Sequence, residues 1–467
     1  MVQITKKIKR ADSWANWRLL RTLMLCGGAG LSGSVNAADT VLGNAGQTEL
    51  QQTTGDLISK VCKRLAGTYA PPKKVDPAEN PAQDLFNQCN AMIQTAAGTN
   101  VAGNNLGIDE DQLASAPQNV ANEEMATPSR NATSTLSGQI AEVNSHLFDI
   151  HKISQSVGGS SGDDDRSLLD NRLSFFVNGV GGFGDIKASD RENSSDFYSA
   201  GVVLGLDYRF TNNFVSGVAF GYSHLDSDFQ NNINVSGGGV DSDMYNLSIF
   251  AAYDLADFYV DGTFTYGWSD YDIERGVVIL ESDDSTSKGG SNRVAKADAD
   301  GEQYSAGLGF GYNYNYNAFN INPYFRLDYY HGTIDSYTET GAYGLNLAVD
   351  EQNFDSLQTL LGVQLAYAFS HSYGVFIPQF NVGWHHEILN DSRAINARYV
   401  AADEDLGSDN PTLTALTDNP DRDFATLGFG FSNVFQGGVQ VFFNYQALLG
   451  YRNVSSNGFT GGVRFEF

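Results

Sequence analysis

The chain has 467 residues, 55 acidic against 28 basic side chains, 50 glycines, 29 Phe, 23 Tyr and 4 Trp, a balance that excludes a basic nucleic-acid binder. At 41% apolar and 18% charged it is too rich in Tyr and Phe for a disordered chain. No run of about 18 uncharged apolar residues occurs outside the N-terminal segment, which excludes a multispan helical membrane protein.

Residues 1–37 carry six basic groups (Lys6, Lys7, Lys9, Arg10, Arg18, Arg21), one acid (Asp12), an apolar stretch from Leu19 to Leu31 and a Val35-Asn36-Ala37 ending. This pattern predicts a secretory signal peptide cut between Ala37 and Ala38. Removing its charge of +5 takes the chain from −27 to −32. Cys26 lies within the apolar stretch behind Leu25, where a lipoprotein signal needs a small residue, so lipidation is not expected. Cys62 and Cys89 remain in an exported region, and a disulfide between them is the default expectation. Residues 38–130 are rich in Gln, Asn, Ala and Pro, with helical patterns around Leu57 to Leu65 and Leu85 to Ile93 that each contain one cysteine. A small helical hairpin stapled across Pro71, Pro72, Pro77 and Pro81 is predicted, too small to build much core without its staple.

From residue 131 the character changes. Leu136, Ile140, Val143, Leu147 and Ile150 follow a 4-3-4-3 spacing, one apolar stripe on a helix over 131–157, which Ser134 or Thr135 can cap and Gly158-Gly159 ends. A glycine, serine and aspartate hinge follows to residue 165. Beyond Arg172 the period switches to two. In 303–316, Tyr304, Ala306, Leu308, Phe310, Tyr312, Tyr314 and Tyr316 alternate with polar or glycine residues. Twelve such segments begin near residues 172, 197, 213, 243, 258, 302, 319, 356, 373, 422, 437 and 458. Tight turns at 211–212, 256–257, 317–318, 370–372 and 435–436 alternate with long loops at 185–196, 228–242, 275–301, 335–355, 391–421 and 451–457. Short connections on one side and long on the other are the sequence form of an outer-membrane barrel.

An apolar face on nearly every strand, with no helical layer left to cover it, requires lipid. In lipid every backbone group needs a partner, so the sheet must close. The expected fold is all-β: a twelve-stranded antiparallel up-and-down barrel over 166–467, with a helix in its lumen and a small helical N-terminal region. The opposite strand face, with Arg172, Asp207, Arg209, Asp261, Arg326, Asp328, Arg464 and Glu466, then lines a wet bore. Twelve strands leave room in it for the helix of 131–157.

Several motifs carry a resemblance. They are Asp207-Tyr208-Arg209-Phe210 before a tight turn, Phe220 through Phe229 after it, Gly383-Trp384-His385-His386-Glu387, Asp421-Arg422-Asp423-Phe424, and the terminal Gly461-Gly462-Val463-Arg464-Phe465-Glu466-Phe467. In this order the stretch from 131 to 467 resembles the translocator β-domain of monomeric autotransporters, the type V secretion proteins. The resemblance implies passage through the Sec translocon and insertion into the outer membrane of a Gram-negative bacterium by its assembly machinery. It also implies delivery of the chain's own upstream passenger to the surface. It makes Phe467 part of an assembly signal, with Phe459, Val463 and Phe465 on the same face. The passenger, about ninety residues, lacks the solenoid repeats common in the family. Self-cleavage at paired asparagines is not expected, because Glu142-Val143-Asn144-Ser145 offers only one.

Chemistry elsewhere is sparse. Gly158-Gly159-Ser160-Ser161-Gly162 satisfies the nucleophile-elbow pattern without its strand–helix context. His224, near Asp226 and Asp228, is the one rim histidine to weigh for hydrolysis. No histidine pair has metal spacing, and Asp298-Ala299-Asp300-Gly301 lacks the spacing of a calcium loop. The reading is a monomeric, non-enzymatic translocator without cofactor or metal, whose partners are lipid, the export machinery and its own passenger. The alternative is a non-secreting barrel that binds or adheres through its surface.

Overall fold

The computed structural model describes residues 40–70, 74–100, 104–121, 123–132, 138, 143–148, 150, 172–232, 235–283, 289–389 and 391–467. The expected cleavage site at Ala37 and Ala38, the capping residues Ser134 and Thr135, the stripe residues Leu136 and Ile140, Glu142, and the hinge with Ser160 lie outside them.

Twelve long strands among the described residues form one antiparallel sheet. They are β1 Leu173–Ile186, β2 Ser195–Thr211, β3 Phe214–Asn232, β4 Val235–Leu255, β5 Phe258–Ile279 and β6 Ser291–Tyr312. There follow β7 Phe319–Ile334, β8 Gln352–Tyr367, β9 Gly374–Glu387, β10 Asp423–Phe435, β11 Val439–Leu449 and β12 Val454–Glu466. β1 pairs with β12, Val177 opposite Val463, and the ring is closed. Closure leaves no strand edge to be satisfied by water that a bilayer does not hold.

The period of two sorts the side chains by face. On β6, Tyr304, Leu308 and Phe310 are exposed on the outside while Gln303 and Ser305 are buried within. Two aromatic girdles bound the outer surface. Near the tight turns stand Phe210, Phe214, Tyr253, Phe258 and Tyr312. Toward the long loops, Tyr222, Tyr245 and Trp268 lie in cross-strand contact. Along β4, Tyr245 and Tyr253 are separated by about 26 Å of strand, which at a tilt of about 40° rises about 20 Å, so that the two girdles lie near the two faces of an outer-membrane apolar band of about 25 Å. The tight turns place Ala256 and Asn317 in the left-handed region, φ +58° and +55°; asparagine tolerates it readily, alanine at a cost. Inside, the Phe176 ring lies against Gly205, its cross-strand partner, where any Cβ would collide with it.

Two predicted loops are largely strand. Residues 228–232, 235–242, 275–279 and 291–301 continue as the upper ends of β3 to β6, and β5, at 22 residues, has about twice the nine to eleven that a tilted strand needs to cross a hydrocarbon core. The extensions are stabilised from within. Val240, Met244, Ile273, Val277, Ile279, Ala295, Ala297 and Ala299 are buried, in one apolar cluster with the N-terminal helices.

Those helices are α1 Val41–Ala45, α2 Glu49–Leu65, α3 Pro81–Ala96 and α4 Glu110–Gln118. Thr48 with Gln51, and Asp109 with Gln112, form capping boxes that start α2 and α4. Cys62 on α2 is disulfide-bonded to Cys89 on α3. The region is larger than the predicted hairpin, and its core is not its own. Leu57, Ile58, Val61, Leu65, Leu85 and Met92 pack in the same cluster as Leu345, Leu347, Ile395 and Tyr399 of the long loops. Those loops build a four-stranded sheet from residues 337–338, 347–349, 394–399 and 413–416. The helices sit in a cup made by this sheet and the strand extensions.

Candidate functional site

The site is the bore with the chain that occupies it. Asn131 is held where the cup narrows into the barrel: its Nδ2 donates to Ser242 Oγ at 3.0 Å and its Oδ1 accepts from Ser227 Oγ at 3.0 Å. Residues 143–148 are helical and lie deeper, toward the tight turns. Val143, Leu147 and Ile150 are buried against Phe176, Val203, Val215, Ala219 and Phe250 of β1 to β4. On other sides, Phe148 meets the Tyr324 and Tyr259 rings at 4.9 and 6.4 Å, and Ser145 Oγ accepts from Asn444 Nδ2 at 3.4 Å. Walls all around the helix place it inside the barrel, running from the loop end to the turn end, where β1 begins beside β12.

Polar side chains fasten it. His146 Nε2 lies 2.8 Å from Asp207 Oδ2, with its ring over Phe176 at 3.9 Å between centroids. Arg464 Nη2 approaches Asp207 Oδ1 at 3.4 Å and Glu466 Oε1 at 3.2 Å, and donates to Ser174 Oγ at 2.9 Å. Arg326 pairs with Asp261 at 2.5 Å and with Asp328 at 3.4 Å. Asp207, Asp261, Arg326, Asp328 and Arg464 are buried in the lumen, which is tolerable because each opposes another charge. Arg209, half-buried, donates to the Asn212 carbonyl at the turn end. Arg172 precedes the first strand and is exposed at the rim, not in the bore.

Above the lumen the helices are bound to the cup by ion pairs as well as apolar contact. Asp84 on α3 receives two bonds from Arg293 of β6, at 2.5 and 2.9 Å, and one from the Gly344 amide at 3.2 Å. Arg130 pairs with Glu192 at 2.8 Å and Arg191 with Glu49 at 3.3 Å. The Tyr69 hydroxyl donates to Asp405 at 2.7 Å, and burial with that carboxylate pushes the phenol up to about 12. Beneath the helices, Arg275 of β5 is 1% exposed and holds Glu339 bidentately, at 2.8 and 2.7 Å. The sequence reading missed these pairs. Arg275 had a signal, as the single charge on an inward face that otherwise reads Ile273, Val277, Ile279. His146 had one too, three residues after Val143 and four before Ile150 on the buried helix face.

On the last strand, Phe459 and Phe467 are exposed and Val463 and Phe465 half-buried on one outward face. Phe459 stacks on Phe183 and Phe467 on Phe465, at 6.0 and 6.5 Å. His224 lies on the outer wall opposite Asp243, 3.1 Å away, and not in a pocket with Asp226 and Asp228.

The family description "Autotransporter beta-domain" matches residues 175–446. The translocator domain of autotransporter NalP from Neisseria meningitidis superimposes with a TM-score of 0.50 at 15% identity, covering 72% of this chain and 98% of that one. The β-domain of the Bordetella autotransporter BrkA gives 0.45 at 16%, covering 63% and 100%. Among curated proteins, Esterase EstA of Pseudomonas aeruginosa is 28% identical over 208 residues, 43% of this chain. The match takes in 30% of that relative, so the chain spans about a third of its length. Lipid-facing strands, closed ring, helix-filled bore and matched residues agree: the barrel is an outer-membrane translocator domain of a Gram-negative bacterium, and the chain belongs to the autotransporter β-domain family.

Proposed function

We propose that residues 38–130 are a passenger exported by their own barrel and kept at the cell surface as a docked cap, with 131–165 threading the bore and 166–467 forming the barrel. The observation that carries this is the direction of the thread. Asn131 lies at the loop end and the 143–148 helix toward the turn end, and in outer-membrane barrels the long loops face outward and the short turns the periplasm. The shared core supports display over release, because a departing passenger would expose Leu57, Leu85 and Met92 on one side and Val277, Leu345 and Tyr399 on the other.

In this reading residues 1–37 direct export through the Sec translocon, with cleavage at Ala37/Ala38. The outward face of Phe459, Val463, Phe465 and Phe467 is read by the outer-membrane assembly machinery, and the closed barrel works as a monomer. The esterase relative does not extend hydrolysis to this chain. His224 is committed to an exposed pair with Asp243, which also accepts from the Tyr222 hydroxyl at 2.7 Å. The test is fractionation of expressing cells. One outer-membrane species beginning at Ala38 and ending at Phe467 is expected; a soluble fragment of residues 38–130 in the medium contradicts retention.

A further inference from the structure

Glu124 stands on the short 3-10 helix Glu123–Ala126, between α4 and the thread. It is 6% exposed. Its Oε1 accepts from Asn193 Nδ2 at 3.3 Å, and its Oε2 has no hydrogen-bond partner among the described residues. The cation that faces it is Arg275, whose Nε and Nη2 hold Glu339 and whose Nη2 also donates to the Leu345 carbonyl at 3.1 Å, while its Nη1 makes no hydrogen bond among the described residues. Two buried carboxyl groups therefore share one guanidinium. The residues on either side of Glu124 are pinned by phenols, the Tyr399 hydroxyl on the Val120 carbonyl at 3.2 Å and the Tyr337 hydroxyl on Met125 Sδ at 2.7 Å. The remaining charges around this seat are Arg130 and Glu192, bonded to one another, with Arg393 facing both.

We propose that Glu124 makes the docking of this segment proton-linked: its carboxyl enters the cup as the neutral acid, and ionisation loosens the cap and the head of the thread. An ionised Glu124 would be a buried charge in excess, since Glu339 already neutralises Arg275. Burial pushes the Glu124 carboxyl up from its usual 4.5 to about 7; Arg275 and the Asn193 bond pull the other way, and Glu339 adds to the rise. The docked segment thus holds a proton that the undocked one loses. Docking is strongest below the usual carboxyl value, weakens as pH rises from there to about 7, and is flat above it. The inference concerns the docked interface alone and holds on whichever side of the membrane the cap stands.

Hydrogen exchange over residues 110–130 of the purified protein in detergent micelles tests it, with Glu124→Gln measured beside the wild type so that the intrinsic pH dependence of exchange cancels. Protection equal to within several-fold is expected at pH 5. At pH 8 the wild type should exchange faster than the variant, on the order of tenfold to a hundredfold. Should Glu124→Gln fail to fold, wild-type protection corrected for intrinsic rates is read across pH 4.5 to 8.5. A fall that levels near pH 7 supports the inference. Identical behaviour of the two proteins at both pH values, or a flat corrected wild-type profile, overturns it.

Discussion

Replacing Arg275 by alanine is expected to open the cap while the barrel stays closed. The guanidinium is buried with both Glu339 oxygens on it, and Glu339 Oε2 also accepts from the Leu347 amide at 2.8 Å. Removing the cation strands Glu339, with Glu124 beside it, both buried. Breaking one partner of such a pair costs about 3–5 kcal/mol. The cost falls on the cup, because Arg275 lies in the extension of β5 beyond the Trp268 girdle and the inter-strand ladder below is untouched. Tryptic cleavage after Lys60, Lys63 and Arg64 should accelerate sharply in detergent, while the fragment from Leu173 to Phe467 stays resistant and unfolds only on heating. Arg293→Ala should act in the same direction but less, since Asp84 keeps its bond from the Gly344 amide.

Phe264→Arg is expected to cripple insertion, whereas Thr265→Asn, its neighbour on β5, should be mild. Phe264 is 51% exposed on the outer wall, midway between the two girdles, and Thr265 is 1% exposed inside, against the Ser248 hydroxyl at 2.8 Å. An arginine facing lipid at mid-depth costs about 2–4 kcal/mol, while a polar side chain in the bore finds polar neighbours. The measurement is refolding into vesicles followed by urea titration. A large loss for Phe264→Arg with Thr265→Asn near wild type is expected; equal losses would mean that the outer wall is not in lipid.

The barrel was legible because alternation, turn length and closure are set by residues near each other in sequence and by a solvent that tolerates one solution. The lumenal helix was legible for the same reason, since Val143, Leu147 and Ile150 repeat at helical spacing. The cup was not. The segments 228–242 and 275–301 are acidic and glycine-rich, with Asp228, Asp241, Asp298 and Asp300 on the outward face, so they read as loops. What makes them strands is the inward row of Val240, Ile273, Val277, Ala295, Ala297 and Ala299, whose partners lie more than a hundred residues upstream. The pairs Arg275 with Glu339, Arg293 with Asp84 and His146 with Asp207 depend on that distant packing too. A sequence shows that such groups exist and on which face, but not which of them meet.

Topology of the cap decides between export and its absence, and single cysteines read it directly on living cells. Cys62 and Cys89 are bonded to each other, so neither competes for label. Glu79→Cys, on the exposed turn before α3, and Gln436→Cys, on the exposed tight turn between β10 and β11, are treated with a membrane-impermeant maleimide before and after the outer membrane is permeabilised. Position 79 should label on intact cells and position 436 only after permeabilisation. The reverse pattern, or a position 79 silent until the membrane is breached, would put the cap in the periplasm and contradict export through this barrel.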